Sequence, residues 1–64
     1  MRLRVGDLVK RRGVPGDHRG RVIGFADHGG TRLVLVEWTD KRVFPNPSSE
    51  PEAGLERIER ESTR

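Results

Sequence analysis

Residues 31–44, TRLVLVEWTDKRVF, constrain the fold more than any other stretch of this chain. They hold the longest apolar run, Leu33-Val34-Leu35-Val36, and the only tryptophan, Trp38, two residues later. Branched and aromatic side chains fit a pleated, half-buried surface, so the run predicts a strand. Thr39-Asp40 has turn chemistry, and residues 41–44 read as the returning strand of a hairpin. Period-two alternation puts Val34, Val36 and Trp38 on one face and Leu33, Leu35 and Glu37 on the other. The expectation is that Val34 and Val36 face inward with Val9, Val22 and Val43. Leu33 and Leu35 then form an outer apolar stripe. Monomers tend not to expose contiguous apolar patches, so this stripe is the candidate subunit contact.

The remaining strands follow from turn punctuation. Gly6-Asp7 is a turn signal ahead of a first strand over residues 8–12. Pro15-Gly16 marks the loop that follows. Residues 21–25 form the next strand, with Gly24 in its interior, where glycine marks a bulge or a sharp bend. Residues 27–30, DHGG, make a hairpin loop with two glycines free to take positive φ. Pro45, Pro47 and Pro51 exclude regular structure over residues 45–52. Leu55 and Ile58 suit a helical turn or a last short strand. Residues 1–58 are read as the folded unit and 59–64 as a charged tail that frays.

Size limits what this fold can do. The chain has 64 residues, of which 16 are Leu, Ile, Val or Phe. That supports one small core, and a domain of this size buries only about 60% of its unfolded surface. No cysteine is present, so neither a disulfide nor a thiolate metal site is available. Small domains without such staples often gain stability by assembly. No segment approaches the roughly 20 apolar residues of a membrane helix, and the N-terminal residues lack a signal-peptide core. The expected compartment is cytoplasmic.

Short strands separated by Gly/Pro turns at intervals of about ten residues predict an all-β domain. At this length the economical form is a single five-stranded SH3-like barrel, with a proline-rich loop and a short C-terminal helical turn or strand. Val5-Gly6-Asp7-Leu8-Val9 followed by Gly20-Arg21-Val22-Ile23-Gly24 resembles the opening of KOW and Tudor-like barrels. That resemblance spans about residues 5–44 and implies binding to RNA, DNA or nucleic-acid-handling proteins, as set by loop content. A second resemblance covers about residues 6–58. Gly6-Asp-Leu-Val-Lys-Arg-Arg-Gly13, Gly20-Arg-Val-Ile-Gly-Phe25, Val43-Phe44-Pro45 and Leu55-Glu-Arg-Ile58 are similar to the block order of plasmid type II dihydrofolate reductases. This resemblance implies a homotetramer around a pore, passing hydride from NADPH to dihydrofolate. The family's pore wall reads Val-Gln-Ile-Tyr, whereas the matching positions here are Lys41-Arg42-Val43-Phe44. Arg42 in a four-fold repeated pore would bring four positive charges together.

The functional candidates are therefore basic residues rather than a catalytic set. His18 and His28 are expected in loops and lack metal-ligand spacing, and Ser48, Ser49 and Ser62 have no glycine-rich elbow around them. No catalytic or metal-binding residues are assigned, and the reading leans away from an enzyme. Residues 1–45 carry ten Lys/Arg against five Asp/Glu, while residues 46–64 carry three against five. Eleven of the 13 basic residues are arginine, whose planar fork suits phosphate. Lys10, Arg11 and Arg12 end the first strand, Arg19 and Arg21 lie across the loop, and Lys41 and Arg42 follow the hairpin turn. A barrel can gather these seven at one end to attract phosphates. The expected function is a non-enzymatic module contacting nucleic acid or a nucleic-acid-bound complex. The alternatives are a homo-oligomeric assembly barrel using Leu33 and Leu35, and the reductase-like tetramer, for which alone NADPH is the cofactor.

Overall fold

The structure, a computed structural model, describes residues 2–14 and 18–59. The Pro15-Gly16 turn and residues 60–64 of the expected tail lie outside the described residues. Five strands form: β1 (Leu8–Arg11), β2 (Gly20–His28), β3 (Thr31–Trp38), β4 (Ser48–Pro51) and β5 (Leu55–Glu59), with a 3-10 turn over Glu52–Gly54 between the last two. They make one antiparallel sheet in the order β4-β3-β2-β1-β5. The all-β, five-strand expectation holds, and the C-terminal segment supplies both a short helical turn and a strand.

Connectivity forces this sheet to curl. Its two edge strands, β4 and β5, are neighbours in sequence, joined by a three-residue turn. In a flat sheet they would stand about 19 Å apart, four steps of about 4.8 Å. A 3-10 segment rises only about 2 Å per residue, so Pro51 and Leu55 lie within roughly 8 Å of each other. Among the described residues no ladder joins β4 to β5, and the 3-10 turn between them is tied to the N-terminal part of the chain. Leu3 N–H donates to Glu52 Oε2 at 3.0 Å, and Arg12 N–H donates to the Gly54 carbonyl at 2.9 Å.

The inside of the curl is the core: Leu3, Val9, Val22, Val34, Val36, Trp38 and Leu55, with Phe25 and Val43 packed against it. The alternation in β3 therefore falls as expected, with Val34, Val36 and Trp38 inward and Leu33 and Leu35 half-buried on the outer side. Val43 reaches the core only in part. The glycines also behave as their positions imply. Gly29 and Gly30 take φ of 59° and 84° in a two-residue turn between paired His28 and Thr31, the backbone of a type I′ hairpin. The β2–β3 register shifts between Val22 and Gly24, which is a bulge.

Two expectations fail together. Residues 41–44 are a turn, not a returning strand, and β4 forms inside the proline-rich stretch expected to be irregular. The cause is a side chain standing in for backbone. Trp38 N–H donates to Asn46 Oδ1 at 2.8 Å, and Asn46 Nδ2 donates back to the Trp38 carbonyl at 3.0 Å. Asn46 thus satisfies the end of β3, and true pairing starts only at Ser48 opposite Val36. Inside the loop, Arg42 and Val43 N–H groups donate to Asp40 Oδ1 and to the Asp40 carbonyl, folding 40–43 into a turn. The prolines are tolerated because β4 is an edge strand and Pro51 is its last residue.

Candidate nucleic-acid interface

The acidic residues largely face the fold. Asp7 is buried and accepts the Arg4 N–H at 2.9 Å. Glu50 accepts both Ser48 Oγ–H at 2.7 Å and Arg11 Nη2 at 2.9 Å. Glu52 takes the Leu3 N–H, and Asp40 caps its own turn. Among the described residues whose exposure is defined, the exposed acids are three: Asp27, Glu37 and Glu56. The exposed bases are seven: Arg2, Arg4, Arg12, Arg19, Arg21, Lys41 and Arg42. The described residues thus expose more bases than acids.

Five of the seven basic candidates fall into two groups, and Arg19 and Lys10 belong to neither. Arg11, Arg12 and Arg42 are engaged by the protein itself. The Arg11 guanidinium lies 4.7 Å from the Trp38 ring centroid while bonded to Glu50. Trp38 Nε1 donates to Ser48 Oγ at 2.8 Å, so Trp38, Ser48, Glu50 and Arg11 form one polar circuit from β3 through β4 to β1. Arg12 donates to the Ala53 and Leu55 carbonyls at 3.3 and 3.2 Å. Arg42 grips both oxygens of Asp40 at 3.1 and 3.0 Å. That side-chain bonding, joined by the Arg42 N–H, pulls the Asp40 carboxyl from its ordinary 3.8 down to about 2. Asp40 in turn pushes the Arg42 guanidinium up.

Arg21 and Lys41 make the second group. They line an open groove of about 290 Å³ together with Leu8, Glu37, Trp38 and Thr39. Its floor is set by register, since Leu8 lies opposite Arg21 and Arg21 opposite Glu37 across β1, β2 and β3. Lys41 reaches it because the turn after Thr39 folds back at Asp40. Arg19 borders it through its backbone, whose carbonyl accepts the Thr39 N–H at 2.9 Å. Lys10 stands apart, opposite Glu56 on β5. The expected single cluster of seven is thus two cations in a groove, a third bordering it, three arginines held by protein acceptors, and Lys10 apart on β1.

Sequence reasoning passed over several exposed groups. Arg2 and Arg4 are exposed on either side of buried Leu3, which the alternation at the N-terminus could have indicated. Phe44, expected in a strand, lies on the 39–47 loop with 92% of its surface exposed. The pore wall implied at 41–44 by the reductase resemblance is this same turn, with Arg42 folded onto Asp40. No group of three or more His, Cys, Asp or Glu side chains suited to a metal occurs among the described residues. Nor does any described helix have the length and apolarity to cross a membrane. Comparison with protein-family models, curated proteins and solved structures finds no match to this chain.

Proposed function

We propose that this domain is a non-enzymatic, SH3-like barrel module that contacts nucleic acid, alone or within a nucleic-acid-bound complex. One observation carries the reading: among the described residues seven bases are exposed against three acids, because most acids are taken up in internal hydrogen bonds, while Arg21 and Lys41 face an open groove. Phosphate attraction and counterion release need that kind of surface. Arg21 and Lys41, in an open groove rather than in an ion pair of the described fold, are the primary phosphate contacts. Glu37 lines the same groove and moderates the field.

The test is a titration with labelled duplex and single-stranded DNA and RNA at about 50 and about 200 mM salt. Binding at low salt is expected, with log K falling by about 0.7–0.9 per contacted phosphate for each decade of salt. Absence of binding at low salt, or binding without a salt slope, overturns the proposal.

A second reading, a homo-oligomeric assembly barrel, is favoured by the outer face of β2 and β3, where Ile23 is 43% exposed near half-buried Leu33 and Leu35. Sedimentation that stays monomeric at high concentration removes it.

A further inference from the structure

We infer that Phe44 is a stacking platform for an unpaired nucleic-acid base, which makes single strands the preferred ligand of this surface. The inference rests on the nucleic-acid reading above and deepens it.

Phe44 is 92% exposed, more than any other large apolar residue described. The ring has no role in the core, and the other two aromatic residues are occupied. Trp38 is buried, and the Phe25 ring is covered by the Arg32 guanidinium at 4.0 Å from its centroid. The loop that carries Phe44 is braced. Its base is closed by the paired Trp38–Asn46 hydrogen bonds. Its first half is folded by the Asp40 bonds to residues 42 and 43. An exposed ring on a braced loop loses little conformational freedom on binding.

Its neighbourhood is cationic. Lys41 precedes it on the same loop, and the root of that loop, Thr39 and Lys41, shares the groove with Arg21, while Arg42 is held by Asp40. An aromatic face beside phosphate-binding cations is the combination single-strand binders use, because every base offers a π-face next to its own phosphate. In a duplex those faces are already stacked on one another, so the ring has nothing to cover. Both DNA and RNA single strands present the required chemistry.

The experiment uses fluorescence anisotropy on the full chain, with a labelled oligothymidine of about 12 nucleotides, its oligouridine counterpart and a duplex of equal length. Phe44→Ala is expected to weaken single-strand binding about 5- to 150-fold, the range spanned by one base–aromatic stack, and to leave duplex binding unchanged. Phe44→Trp is expected to retain or tighten it. Phe44→Leu keeps apolar bulk without a π-face and is expected to behave like Phe44→Ala. Wild-type binding with a salt slope that all three variants share overturns the Phe44 inference and leaves the broader reading standing. No binding by the wild type to any probe overturns both. Self-association of the wild type that Phe44→Ala abolishes also overturns the inference, because it puts the ring in a contact between copies.

Discussion

Ser48 shows how much a single hydroxyl carries in a domain of this size. It is buried, accepts from Trp38 Nε1 and donates to Glu50, which also holds Arg11. Ser48→Ala would leave the indole N–H buried without a partner, at a cost of about 1–3 kcal/mol. Thermal unfolding should show a midpoint about 4–8 °C lower for each kcal/mol lost. An unchanged midpoint would mean that water replaces the hydroxyl. Asp40 offers a residue-level test of a different kind. Its folded pKa, about 2, lies below its ordinary 3.8. Its bond to Arg42 therefore supports the turn fully above the ordinary value and is lost as pH falls through about 2. The pair is exposed, so the effect belongs to the turn more than to global stability. In Arg42→Ala the carboxyl should titrate higher, yet still below 3.8, because the residue 42 N–H remains bonded to it. NMR titration of the Asp40 carboxyl reads this directly, and an unmoved pKa would contradict the assigned cause.

At the scale of elements, two glycines in β2 make a contrast. A Cβ on Gly20 would lie 2.5 Å from Val36 Cγ1 and 2.7 Å from Trp38 Cε3, whereas one on Gly24 would meet Leu35 Cδ1 at an ordinary 3.5 Å. Gly20→Ala should therefore destabilise the domain by about 1–3 kcal/mol through overpacking. Gly24→Ala should be tolerated, and denaturant midpoints for the two variants check the difference. Gly24, Gly29-Gly30 and the Leu-Val-Leu-Val run were legible because bulge, turn and face are local properties of a few residues. Strand β4 was not. Ser-Ser-Glu-Pro has no aliphatic or aromatic residue, ends on a proline and follows another, and it becomes a strand only because β3 offers it a partner. Residues 41–44 were misread for the complementary reason. Their apolar Val43-Phe44 pair looks like a strand, but the Asn46 amide occupies the ladder position at Trp38 that they needed.

For the whole molecule the decisive property is the sorting of charge between inside and outside. The excess of basic residues was visible in the chain, as was their arginine character. Which of them stay free was not, because Arg11 finds Glu50 from 39 residues away and Arg12 finds the Ala53 carbonyl from 41. Those partners exist only once the edges of the sheet have been drawn together. The same sorting leaves Glu37 as the one acid among the described residues that line the Arg21–Lys41 groove. Exposed charges act over about a Debye length, roughly 8–10 Å, so this carboxylate opposes any phosphate entering the groove. Glu37→Gln should therefore tighten nucleic-acid binding at low salt. Arg21→Gln with Lys41→Gln should weaken it uniformly across sequences and reduce the salt slope by about two. Both changes lie at exposed positions, and losing the cross-strand Arg21–Glu37 pairing costs at most about 1 kcal/mol. The neutral exchange Asp40→Asn with Arg42→Gln removes an ion pair without altering net charge and should leave the slope where it was. Equal loss of slope in the groove variant and in this control would mean that the field of the whole surface, and not the groove, holds the ligand.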